Sequence, residues 1–200
     1  MERPSGTVTF LFTDIEGSSR PRDEDPGTDV GLVEQHDDIL RELFDRHHGY
    51  VVATGGHGFG VAFARAADAV DAAREAQLIL STGDLPPVRM GLLTGEADER
   101  DGNYLGPAVN RATQLMSIAH GGQIVASATT RAVAERATFR DLGVYQLRDL
   151  ATTEHVFQLV GKRLRDVRAT RALAARYSRC SGRDRGLAVT CSSRSSRRRR

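Results

Sequence analysis

Cysteine is nearly missing from this 200-residue chain: its two cysteines, Cys180 and Cys191, both fall in the last 21 residues. The bulk of the chain therefore has neither a disulfide framework nor a cysteine-based metal site. Tryptophan is absent and aromatics make up 6%. No apolar run approaches the roughly 18 residues that would span a bilayer. The opening "MERPSGTVTF" lacks the charged-then-apolar pattern of a secretory signal, so the cytoplasm is the expected compartment. What is present is 40% apolar content, enough for one globular core.

Net charge of +2 conceals an asymmetry. Residues 1–160 carry 14 basic and 24 acidic side chains, a net −10; residues 161–200 carry 14 basic and 2 acidic, a net +12. Two regions follow: a domain over 6–160 and a basic, Ser/Arg-rich tail over 161–200 that is expected to be partly disordered. Its last 20 residues, "SGRDRGLAVTCSSRSSRRRR", contain no aromatics. It reads as a solvated extension or the product of a frame change, and nucleic acid is not the expected partner.

Within the body, "GTVTFLFTDIEGSS" reads as a buried strand of about seven residues ending near Asp14. Leu32, Val33, Ile39, Leu40, Leu43 and Phe44 recur at helical spacing, with Gly49 placed to end that helix. "YVVATGGHGFGVAF" reads as two strands, 50–54 and 59–63, around a glycine-rich turn. "RAADAVDAAREAQLIL" is an alanine-rich helix. "PVRMGLLTGEA" is a strand with Val88, Met90 and Leu92 on one side. "YLGPAVNRATQLMSIAH" is a helix with Pro107 in its first turn. "GQIVAS" is a strand, and Ser127 or Thr129 can cap the short helix "ATTRAVAERA" after it. Residues 138–161 read as short strands. The mixed order, with a hairpin in the middle, predicts an α+β domain whose helices pack over a mainly antiparallel sheet.

A carboxylate just past a buried strand, followed by a Gly/Ser turn, can offer a hard oxygen to Mg²⁺ and turn amides to phosphate. Asp14 alone is a weak signal, and in isolation it reads better as a strand end. A second carboxylate at the neighbouring hairpin tip would change that, because two such groups can hold two metals. The tip carries His57 instead.

Taken together, "VTFLFTDIEGSS", the hairpin, "VRMGLLTGEADERDGNYLGPAVNRATQLMSIAHGGQIVAS" and "LRDLATTEHVFQLV" resemble the class III adenylate/guanylate cyclase catalytic domain of the bacterial type. The resemblance implies a ferredoxin-like α+β fold that works as a homodimer or as a heterodimer with another cyclase domain. It implies conversion of ATP or GTP to the 3′,5′-cyclic monophosphate and pyrophosphate, with Mg²⁺ or Mn²⁺, at sites shared between protomers.

Carried over by position, the resemblance makes Asp14 a metal ligand and Ile15 a donor of a backbone carbonyl to the same metals. His57 stands where the second metal aspartate is expected. Ala53 replaces the base-reading lysine, and Asn103 takes the second base-reading position. Asn110 matches the transition-state asparagine, whereas Gln114 replaces the transition-state arginine. Asp14 and Asn110 alone keep the family residue. Imidazole suits Mn²⁺ or Zn²⁺ better than Mg²⁺, so metal binding is expected to be weakened. Loss of one electrostatic donor such as the arginine costs about 10²–10³ in rate. Arg111, three residues earlier, is displaced by about 60° around the helix and is not expected to stand in. Two readings follow: a weak cyclase, or a catalytically silent regulatory domain that binds a nucleotide or a protein partner.

Overall fold

The structure, a computed structural model, describes residues 3–16, 30–55, 58–83, 85–100, 103–147 and 153–165. The elements are β1 (Gly6–Ile15), α1 (Val30–Arg46), β2 (Tyr50–Gly55), β3 (Gly58–Phe63), α2 (Ala66–Leu80) and β4 (Val88–Arg100). They continue with β5 (Asn103–Leu105), α3 (Pro107–Ser117), β6 (Ile124–Ser127), α4 (Ala128–Val133), β7 (Phe139–Gln146) and β8 (Thr153–Leu159). The sheet runs β2-β3-β1-β4-β6-β8-β7, with β5 paired to the far end of β4. Every pairing is antiparallel except β4 with β6. The expected α+β architecture, a mostly antiparallel sheet with flanking helices, is the one observed.

Strand alternation sorts the core into two layers. Leu11, Ile15, Val61, Phe63, Val88, Met90 and Leu92 pack under Leu40, Leu43 and Phe44 of α1 and the alanine face of α2. Val8, Phe10, Phe12 and Leu93 point the other way, under Ala108, Ala112, Leu115 and Met116 of α3. Burial of each large apolar side chain contributes about 1.5–3 kcal/mol. The small residues of α2 and α3 let helix and sheet approach closely. Gly91 is the extreme case: a Cβ there would meet the Met116 backbone nitrogen at 2.6 Å.

Three local expectations are refined. The strand expected over 87–97 runs on to Arg100 and pairs with β5, which takes up Asn103–Leu105 ahead of the helix. Tyr104 fastens β5 by donating its hydroxyl to the Pro4 carbonyl at 2.5 Å and packing edge-on against Phe10. At the exit of α1, His48 rather than Gly49 takes the left-handed backbone (φ 59°), and the Gly49 N–H donates to the Phe44 carbonyl. Of the two proposed caps for α4, Ser127 is the one used: its Oγ accepts from the Thr130 N–H.

After β8 the chain still packs on the domain. Arg165 donates to the Gly121 carbonyl, and its own carbonyl accepts from buried Gln158. The rest of the basic tail, residues 166–200, lies outside the described residues. Among the described residues no helix is long and apolar enough to cross a membrane.

Candidate functional site

The ladder between β1 and β4 sets the geometry around Asp14. It pairs Asp14 with Arg89, and alternation turns both side chains to the α3 side of the sheet. Arg89 donates from Nε and Nη2 to Asp14 Oδ2 at 3.0 and 2.5 Å. Its Nη1 reaches the carbonyl of Ser117, the last residue of α3, at 3.4 Å. A cation there also complements the negative end of the helix dipole. Both side chains are mostly buried, Asp14 19% and Arg89 23% exposed, so water screens the pair weakly.

The hairpin of β2 and β3 is clamped to the same strand end. Phe59 N–H donates to Thr13 Oγ1 at 3.1 Å. A Cβ on Gly58 would stand 2.2 Å from the Thr13 carbonyl oxygen, so only glycine allows this approach. His57 itself lies outside the described residues. Ile15 pairs with Val88 and buries its side chain, which leaves only its backbone to serve a ligand. Ala53 is exposed on β2, just past a register shift that begins at Val51, and faces Gly60 across the hairpin.

The remaining candidates cluster around α3. This helix runs antiparallel to β4, with Ala108 over Gly95 and Met116 over Gly91. Its buried face is Ala108, Ala112, Leu115 and Met116. Asn110 and Gln114, four residues apart, share the opposite stripe, Asn110 exposed and Gln114 half-buried. Asn103 is exposed at the start of β5, opposite Arg100. An open depression of about 470 Å³ lies beside this end, lined by Tyr104, Leu105, Gly106, Pro107, Val109 and Asn110. Burial pushes the Tyr104 hydroxyl above its ordinary 10.0, so it stays a proton donor at neutral pH.

One chain therefore places the outer candidates in two separate groups. Asp14, Arg89 and the hairpin gather at the C-terminal end of α3, while Asn103 and Asn110 gather at its N-terminal end. Asn110 and Ser117 are about 10 Å apart along the helix axis, at 1.5 Å per residue. Arg111 joins neither group: it donates from Nη2 to Oε2 of Glu154, a buried residue of β8. Arg89 and Glu154 were missed by sequence reasoning. Arg89 sits in polar alternation between Val88 and Met90, but nothing local indicates which strand lies beside it.

The described residues do not fit a divalent metal. They include no group of three or more His, Cys, Asp or Glu side chains that could hold one. Oδ2 of Asp14 already accepts from two guanidinium nitrogens. The next carboxylate, Glu16, is directed to His120 Nδ1 at 3.8 Å.

No protein-family model matches the chain. An uncharacterized protein of Mycobacterium tuberculosis is 38% identical over 173 residues, covering 82% of this chain and 59% of that protein. The chain thus spans about three-fifths of the length of such relatives. The adenylate cyclase of Neurospora crassa is 30% identical over 154 residues, 62% of this chain and 7% of that protein. Among solved structures, adenylate cyclases from Trypanosoma brucei in their monomeric state superimpose with a TM-score of 0.74 at 24% identity, covering 84% of this chain and 94% of theirs. The guanylate cyclase domain of RhGC from Catenaria anguillulae, in complex with GTP, superimposes at 0.68 with 18% identity, over 80% and 99%. Strand order, helix placement and these likenesses agree: the chain carries the α+β fold of the class III adenylate/guanylate cyclase catalytic domain.

Proposed function

We propose that this chain is a cyclase-type domain of cyclic-nucleotide signalling that is catalytically silent and acts by binding a nucleotide or a partner protein. The observation that carries the reading is the engagement of Arg111 by Glu154. Gln114 supplies no charge at the transition-state position, and Arg111 is the nearest alternative cation on α3. Its guanidinium is committed to a buried carboxylate on another strand, away from the Asn110–Gln114 stripe.

The base-reading side is equally short of substitutes. Ala53 offers a methyl group, and the one lysine in the whole sequence is Lys162, just past β8. Asn103 keeps an amide that can donate and accept, which supports binding of a base without fixing its identity. The separation of the two groups on one chain supports a composite site across a homodimer or a heterodimer, with ATP or GTP as the nucleotide. In a symmetric dimer both composite sites would carry the same substitutions.

The test is cyclic-nucleotide production by the purified full chain from ATP and from GTP, in Mg²⁺ and separately in Mn²⁺. The expected result is no product above an Asp14→Ala control. Clear turnover above that control would make the domain an active cyclase and overturn the proposal.

A further inference from the structure

We propose that Arg89 is the resident cation of Asp14, so that this corner is closed to divalent metal unless the guanidinium leaves. The proposal rests on reading Asp14 as the family's metal position. It goes beyond the substitutions at positions 53, 57 and 114, because it concerns a residue that the family comparison did not single out.

Three observations carry it. First, the pair is set by backbone register: Asp14 and Arg89 are direct partners in a ten-residue antiparallel ladder, so their side chains leave the same face of the sheet side by side. Second, the guanidinium is held on two sides. Nε and Nη2 donate to Asp14 Oδ2, and Nη1 donates to the Ser117 carbonyl at the end of α3. The planar fork of arginine is pre-organised for such a geometry. Third, the corner is poor in negative charge. Asp14 and Arg89 cancel, Glu16 is directed to His120, and the described residues hold no cluster of three metal-ligating side chains. A hard divalent cation needs several oxygen ligands and would here meet a fixed positive charge instead.

The experiment is a Mn²⁺ titration of the full chain, read by electron paramagnetic resonance of free Mn²⁺ at constant pH and salt. Five proteins are compared: wild type, Asp14→Asn, Arg89→Met, Arg89→Lys, and Arg89→Met combined with Asp14→Asn. Wild type should show no site tighter than about millimolar, the range of a weak oxygen-ligand site. Arg89→Met should gain one site at least tenfold tighter, and adding Asp14→Asn should remove it. Arg89→Lys should fall between, because lysine keeps the charge but lacks the fork.

A tight wild-type site that disappears in Asp14→Asn would overturn the proposal. So would an Arg89→Met protein that binds no better than wild type. If Arg89→Met does not fold, Arg89→Lys decides: unchanged or weaker binding than wild type sinks the idea. Cyclase assays stay independent. Tight Mn²⁺ at Asp14 without turnover would overturn this inference and leave the proposed function standing. Turnover would overturn the proposed function, while the Arg89 comparison would still decide this one.

Discussion

Arg111 of α3 donates to Glu154 of β8, joining the helix over one half of the sheet to a strand of the other half. Glu154 is buried to 6% exposure, so water can do little to replace that partner. Removing Arg111 leaves a buried carboxylate short of a charge-assisted bond. Arg111→Ala should cost about 1–3 kcal/mol of stability. A double-mutant cycle with Glu154→Gln, read by denaturant unfolding, should return a coupling of the same sign; additive effects would mean that the pair contributes nothing.

The same contact predicts how catalysis can be restored. Arg111 is committed elsewhere, so recovery requires new charges at the family positions. The combined variant Ala53→Lys, His57→Asp, Asn103→Asp, Gln114→Arg should raise cyclic-nucleotide production by orders of magnitude. Gln114→Arg alone accounts for about 10²–10³ of a complete site, but it should yield little while the metal and base positions are unrepaired. A folded quadruple variant with no gain would mean that the positions were carried over wrongly, that no dimer forms, or that Arg89 still keeps metal from Asp14.

Gly91 is predicted to be intolerant of any side chain. A Cβ there meets the Met116 backbone nitrogen at 2.6 Å and its Cα at 2.7 Å, atoms that cannot swing aside. Gly91→Ala should force α3 off the sheet and cost about 1–3 kcal/mol. Thermal melts followed by circular dichroism would measure the loss, and an unchanged midpoint would contradict the packing described here.

A pH effect is expected at the junction of α1 and α2. The hydrogen bond from His47, at 2.7 Å, and the nearby Arg46 hold the Glu75 carboxyl below its ordinary 4.5. A lowered folded-state pKa means stability that is fully present above 4.5 and is lost as pH falls through the lower folded value. Glu75→Gln should flatten the acid limb of the stability curve without changing its neutral plateau greatly, since the Glu75 side chain is 37% exposed. Equal acid limbs for the two proteins would rule the contribution out.

Much of the fold was legible because its signals are local. Apolar spacing placed α1, alanine content placed α2, the glycine turn placed the β2–β3 hairpin, Pro107 marked the start of α3, and Ser127 or Thr129 that of α4. β5 was not legible: three residues are too few for a period, and Tyr104 belongs there because of a bond to Pro4, 100 residues away. The exit of α1 was misplaced by one residue because His48 accepts a left-handed backbone that glycine usually takes.

The sequence by itself determined the order of the longer elements, the apolar face of α1 and the likeness to a cyclase domain, including the neutral residues at 53 and 114. These follow from side-chain periodicity, turn chemistry and residue identity, all of which act over a few positions. Tertiary structure alone decided that Asp14 faces Arg89, that Arg111 turns to Glu154, and that Asn110 and Asp14 lie at opposite ends of α3. The Asp14–Arg89 pair spans 75 residues. Its partners are chosen by which strands lie side by side and in what register, and no local pattern encodes that choice.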